Sequence, residues 1–193
     1  MSRMGFFLSS VKGKTLDVGF NVGPLHEKIR EKLGGENVFG VDLTVEKEDA
    51  HYKKAKAEAL PFADASFDTV VAGELVEHLE EPKIFFEEAK RVLRENGALV
   101  VSTPNRKSLV NRLFKSYETT VHLNLFDEKD LERIMEKNGF AVEKKAFFPY
   151  AEESSSGSKM KWLFALRGAL DFLLPNGLKE QMCFAAKKKG EGA

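Results

Sequence analysis

The sequence holds a single cysteine, Cys183, in 193 residues. That excludes an internal disulfide and any metal site built from a cysteine cluster, and it fits a reducing, cytoplasmic setting. Net charge is absent as well. The 30 Lys and Arg side chains balance 30 Asp and Glu, so no overall field draws in a polyanion and a dedicated nucleic-acid binder is disfavoured. No apolar run approaches the roughly 18 residues that a membrane-spanning helix needs. The Phe6-Phe7-Leu8 stretch is too short for a signal peptide and has no small-residue cleavage site after it. The length suits one domain with a substantial core, here taken as residues 1–193.

Within that length the chain reads as alternating strands and helices. Residues 1–13 mix apolar and basic side chains and form either a loose lead or a short capping helix. Residues 15–18 are an apolar run that ends in Gly19-Phe20-Asn21-Val22-Gly23, and the amphipathic residues 25–33 follow. Glycine permits positive φ and Asn tolerates it best among the rest, so the loop is either an ordinary strand-to-helix turn or a ligand cradle. Amides at a helix start favour carboxylate or phosphate groups, and Pro24 suits the first turn.

Gly34-Gly35 stops that helix. Residues 37–44 then read as a strand ending at Asp42, and residues 52–55 as a short third strand. An acid about 20 residues beyond a Gly-rich turn commonly holds ribose hydroxyls. Residues 67–72 form a buried strand delivering Gly73 and Glu74 to the same sheet edge. Pro82 opens a helix through Arg94 with Ile84, Phe85, Ala89, Val92 and Leu93 on its apolar face, and Asn96-Gly97 ends it. Residues 98–102 are a further strand. Residues 127–138 read as a helix, and residues 140–148 and 181–187 as a closing hairpin. The pattern predicts an α/β fold with right-handed crossovers and a mainly parallel sheet.

Six pieces in order, Leu16-Asp-Val-Gly19, Gly40-Val-Asp42, Ala57-Glu-Ala-Leu-Pro-Phe62, Ser66-Phe-Asp68, Glu74-Leu-Val-Glu-His-Leu79 and Arg91-Val-Leu-Arg-Glu-Asn-Gly97, make the chain resemble class I S-adenosylmethionine-dependent methyltransferases. The likeness is to the small-molecule group called type 11, and it runs from residue 14 to about residue 140. It implies a Rossmann-like, seven-stranded, mostly parallel sheet with helices on both faces and an antiparallel closing strand. It also implies S-adenosylmethionine as co-substrate. Asp17, Gly19, Phe20, Asn21 and Gly23 would face its methionine end, and Asp42 would accept from the ribose hydroxyls. Leu43 would pack on the adenine, Ala57 and Glu58 would meet its edge, and Gly73 and Glu74 would line the methyl-donor end.

Two departures from the family pattern stand out. Phe20 and Asn21 replace a small residue and the middle glycine, and Lys56 stands where an acid is usual. An ammonium only donates, so the adenine edge is left to backbone and Glu58. A hydride-transfer reading needs Gly-x-Gly-x-x-Gly, which Gly19-x-x-x-Gly23 does not match. A non-catalytic binding or scaffold protein that keeps the fold is the alternative.

Methyl transfer is an in-line displacement at a sulfonium carbon, so alignment in a water-poor site is the main requirement. His78 and His122 lie where strand ends bring them near that site, as candidate bases or as structural braces. His26 and His51 read as surface residues. The acidic run 77–81 reads as a solvated helix face, and no metal is expected. No Asn-Pro-Pro-Tyr signature follows the fourth strand, which argues against methylation of nucleobase or glutamine amino groups.

Residues 106–121, with Leu109, Val110, Leu113, Phe114 and Tyr117 among basic residues, and residues 149–180 are candidate lid or insertion segments. A helix over 159–174, carrying Trp162 and Leu166 on its apolar face, would pack on the core, cover substrate, pair with a second copy or touch a membrane surface. These apolar segments point to a small, hydrophobic or amphipathic methyl acceptor as the partner. Oligomeric state is not readable from the residues.

Overall fold

Strand β1 (Thr15–Val18) is buried at every position and lies inside the sheet of the computed structural model, which describes residues 1–20, 24–115, 121–149 and 174–190. On one side β1 pairs in parallel with β2 (Val38–Val41), and β2 with the short β3 (Tyr52–Lys53). On the other side β1 pairs in parallel with β4 (Phe67–Gly73), and β4 with β5 (Leu93–Pro104). β7 (Gln181–Lys188) runs antiparallel between β5 and β6 (Phe140–Phe148). The order β3-β2-β1-β4-β5-β7-β6 is the seven-stranded sheet expected, with one antiparallel strand.

Side-chain alternation along the central strands sorts the core into two layers. Val70 and Ala72 of β4 and Leu99 and Val101 of β5 point to one face, where α3 (Pro82–Val92) adds Phe85, Phe86 and Ala89 and α5 (Glu128–Lys137) adds Leu131 and Met135. Val71 and Val100 point to the other face and meet Phe6 and Phe7 of α1 (Arg3–Ser10) and Leu25 and Ile29 of α2 (Leu25–Leu33). The N-terminal residues are thus a capping helix, not a loose lead. Burying Phe6 and Phe7 contributes about 1.5–3 kcal/mol each by transfer from water.

Element ends differ from the sequence reading for local reasons. β2 stops at Val41 because the Asp42 Oδ1 accepts hydrogen bonds from the Thr44 amide at 2.8 Å and its hydroxyl at 2.6 Å, a side-chain turn that competes with the ladder. α3 ends at Val92, since Leu93 is already extended and pairs with Phe67. Ile84 points outward at 41% exposure. Asn96, at φ 59°, and Gly97 form a kink within β5 and do not end the helix. The connection 42–51 holds no helix, although parallel neighbours commonly need a longer, helical crossover.

α4 (Leu109–Phe114) falls in the candidate lid segment 106–121. Tyr117 and all of the proposed 159–174 helix except Leu174 lie outside the described residues. Among the described residues no helix is long and apolar enough to cross a membrane.

Asp127 starts α5. Its Oδ1 accepts from the Lys129 and Asp130 amides at 2.9 and 3.1 Å, and Asp130 Oδ2 accepts from the Asp127 amide in return at 3.4 Å. Asp127 Oδ2 also takes Arg106 and Lys107, each at 2.8 Å. Burial pushes the Asp127 carboxyl up, but the Lys107 and Arg106 contacts and the Asp130 amide outweigh it and hold the group well below the usual carboxylate range. The stability this confers is therefore complete above the carboxyl's unfolded value and is lost as pH falls. Asp127→Ala is expected to cost about 1–2 kcal/mol at neutral pH in a denaturant titration. The gap to wild type should narrow below about pH 4.

Candidate active site

The parallel register brings three strand ends level. Val18 faces Val41, and Asp17 faces both Gly40 and Val71, so Gly19, Asp42 and Gly73 follow at one edge of the sheet. Gly19 donates its amide to the Val41 carbonyl at 2.7 Å. It sits at φ +77°, where a Cβ would also approach Leu75 to 3.1 Å, so this turn requires glycine. Asn21 and Gly23 lie outside the described residues.

Asp42 is half-buried, Leu43 beside it is 59% exposed, Ala57 is buried and Glu58 half-buried. Beyond Gly73 the chain turns sharply, with Glu74 at φ 52°, a conformation that non-glycine residues rarely adopt. Ser102 and Gln181 hold Glu74 there. Its amide donates to the Ser102 carbonyl at 3.0 Å, its Oε1 accepts from the Ser102 hydroxyl at 2.7 Å, and its Oε2 accepts from Gln181 at 3.3 Å.

Of the two histidines read as surface residues, His26 is buried and His51 half-buried. His26 is 4% exposed; its Nδ1 lies 3.1 Å from Asp17 Oδ2 and its Nε2 3.1 Å from the Tyr52 hydroxyl. Phe20 packs on both rings, with centroids 4.7 Å from His26 and 5.2 Å from Tyr52. It also lies over Gly40, where a Cβ would come within 2.5 Å of the Phe20 ring. Asp17 is 2% exposed. Burial raises its pKa, the hydrogen bond and charge of His26 oppose that, and the Asp42 charge adds to the rise. The signal for His26 was its spacing, three residues before Ile29 and seven before Leu33, on the apolar stripe of α2. His51 is half-buried with its ring edge-on to Phe39, centroids 4.6 Å apart.

These side chains border an open cleft of about 590 Å³ lined by Phe20, His26, Glu27, Arg30, Thr44, Val45, Glu46, Lys47 and Tyr52. It lies where the connection 42–51 lacks a crossover helix. Among the described residues, Phe20 is the expected cofactor residue that lines it.

The acidic run 77–81 is not a solvated face throughout. Glu77 is 1% exposed in a single helical turn, Val76–His78, while Glu80 and Glu81 are exposed. Burial, then the neighbouring Glu74 carboxylate, push Glu77 up to about 8 against the pull of its own backbone amide, its Thr103 hydrogen bond and Arg3. His78 and His122 do come together, with ring centroids 5.0 Å apart. The His78 Nδ1 lies 2.8 Å from the Val121 carbonyl oxygen.

Residues 2–145 match the methyltransferase-domain family. The chain belongs to that family, within the class I S-adenosylmethionine-dependent methyltransferases. Among its relatives, an uncharacterized protein of Methanocaldococcus jannaschii is 27% identical over 67% of this chain and 65% of its own length. A ubiquinone biosynthesis O-methyltransferase of Azorhizobium caulinodans is 33% identical over 51% of this chain and 44% of its own. The matches thus span less than two thirds of these relatives. In fold, a SAM-dependent methyltransferase of Archaeoglobus fulgidus superposes with a TM-score of 0.68 at 23% identity, covering 96% of this chain and 91% of that one. The methyltransferase fold accounts for the level strand ends, and hydrogen bonds link Asp17, His26 and Tyr52 into a chain beside them.

That chain is expected to support the fold from beneath the loop. Tyr52→Phe removes one donor and should cost about 1 kcal/mol. His26→Ala strands the buried Asp17 and should cost about 1–3 kcal/mol. Thermal denaturation of the two variants checks the order, and equal or negligible losses would contradict it.

Proposed function

We propose that the protein is an S-adenosylmethionine-dependent methyltransferase acting on a small hydrophobic or amphipathic acceptor. The observation that carries the activity is the level edge formed by Gly19, Asp42 and Gly73. It sets a glycine turn, a carboxylate and the strained Glu74 corner side by side at the carboxyl ends of adjacent parallel strands, where such sheets bind ligands.

The residues fit the co-substrate. When bound, it supplies an electrophilic methyl group on a sulfonium. In this reading Asp42 exchanges its Thr44 contacts for the two ribose hydroxyls, and Leu43, a large apolar side chain left 59% exposed, covers the adenine. Ala57 and Glu58 meet the adenine edge, and Asp17, Gly19, Phe20, Asn21 and Gly23 surround the methionine end. Gly73 and Glu74 border the methyl group. His78 and His122 are the ionisable groups assigned to the acceptor side, where either would receive a proton from the acceptor.

For the acceptor, the supporting observation is apolar surface beside His122. Val121 and Leu123 flank it at 61% and 54% exposure, and Leu113 on α4 is 65% exposed. Exposed apolar side chains next to a candidate catalytic group suit an apolar ligand. An apolar acceptor is also consistent with the ubiquinone biosynthesis relative. The segments 106–121 and 149–180 are proposed to close over it.

Calorimetric titration with S-adenosylmethionine tests the activity reading. One site per chain is expected, and Asp42→Ala should weaken it by at least about tenfold, the loss of hydrogen bonds to a charged group. No heat from the wild type would overturn the reading in favour of a scaffold. For the acceptor, mass spectrometry of material that co-purifies should find an apolar or amphipathic molecule; turnover confined to small polar acceptors would overturn that part.

A further inference from the structure

Glu77, His78 and His122 each bring one ligand atom to a common point, all within 4.8 Å of one another, among the described residues. The carboxylate is the unusual member. One oxygen of Glu77 accepts from the Thr103 hydroxyl at 3.0 Å. The other, Oε1, is buried with no hydrogen-bond partner and lies 4.0 Å from His78 Nε2. A buried carboxylate oxygen without a partner is costly unless the group takes up a proton, is paired or coordinates a metal.

His78 is oriented to match. A carbonyl only accepts, so the 2.8 Å contact to Val121 makes Nδ1 the protonated nitrogen. In the neutral ring Nε2 is then the nitrogen with the lone pair, and it lies on the Glu77 side, 4.0 Å from Oε1. A second nitrogen donating to a backbone carbonyl is the arrangement that fixes metal-bound imidazoles.

The two segments are also tied to each other on both sides of His122. Besides the Val121 contact, the Asn124 amide donates to the Glu77 carbonyl at 3.0 Å and its side chain to the Leu79 carbonyl at 2.5 Å. The cluster therefore stands on a braced frame between the turn after β4 and the stretch before α5.

We propose that Glu77, His78 and His122 form a binding site for a divalent transition-metal ion. One carboxylate and two imidazoles suit borderline ions such as Zn²⁺ or Fe²⁺ better than Mg²⁺ or Ca²⁺, which prefer oxygen ligands; Mn²⁺ serves as a spectroscopic probe of the same donors. Bonds of about 2.0–2.1 Å place donor atoms about 3.3 Å apart. The exposed His78 and half-buried His122 side chains close that gap by small rotations.

Three protein ligands leave coordination positions open, the pattern of a reactive site and not a purely structural one. Glu74 at the proposed methyl-donor end is three residues from Glu77. An acceptor hydroxyl bound to the ion would release its proton to water near neutral pH, and its oxygen would then take the methyl group as the sulfonium carbon–sulfur bond breaks to leave a neutral thioether. That step rests on the methyltransferase reading; the binding of the ion does not. In it the ion takes over the task otherwise assigned to an imidazole base.

The test uses the full chain, stripped with a chelator and titrated with Mn²⁺ by electron paramagnetic resonance and with Zn²⁺ by calorimetry. One ion per chain is expected. His78→Ala, His122→Ala and Glu77→Gln should each weaken binding by more than about tenfold. If Glu77→Gln fails to fold, the two histidine variants carry the test, because their side chains reach solvent. S-adenosylmethionine titrations of the histidine variants should match the wild type, which separates loss of the ion site from loss of the fold. No ion bound at about 1 mM, or binding that both histidine variants leave intact, would overturn the proposal. Ion binding without S-adenosylmethionine binding would uphold the ion site and overturn the methyltransferase reading.

Discussion

β1 pairs in parallel with both β2 and β4, and this double register is the constraint on which the other elements depend. Because side chains alternate and neighbours are held in step, slipping either pair by one residue would exchange the buried layers and move Asp17 from the α2 face to the α3 face. The register therefore decides two things at once: which side chains form each core layer, and which residues emerge together at the carboxyl edge. α1 and α2 on one side, and α3 and α5 on the other, stabilise what the pairing has already aligned.

Most of the scaffold was readable because its signals are local. The glycine punctuation and apolar runs located β1, α2 and β6 at their observed bounds and β4 and β7 within a residue. Where reading and structure part, the deciding contact is long-range or lies in a side chain. β5 starts at Leu93 because Phe67 offers it a partner, which no window around Asn96 reveals. The short β2 reflects one Asp42 turn. His26 carried the right helical spacing, but its burial depends on Asp17 and Tyr52 meeting across the sheet. The site was legible as a set of strand ends. The environment of Glu77 was not, since an acid between apolar neighbours gives no sign of which way it points.

Negative charge is concentrated at the working edge of a chain with no net charge. Asp17, Asp42, Glu74 and Glu77 all lie at or just beyond the ends of β1, β2 and β4, and the Arg3 charge acts on Glu77 from α1. Burial raises Asp17 and Glu77, the neighbouring carboxylates add to that rise, and the edge is receptive to positive charge. A sulfonium or a divalent ion would offset the negative charge there, so the two ligands proposed here are favoured by the same excess of carboxylate.

The sheet has two outer strands, and neither presents a usable template to another chain. β3 is only Tyr52–Lys53. β6 is longer but breaks register between Val142 and Lys144, and it displays Glu143, Lys144 and Lys145 to solvent. An edge that is too short and an edge that is bulged and charged both resist strand-to-strand addition. At high concentration the folded sheet therefore offers a second copy little to extend, because of the form of its two margins.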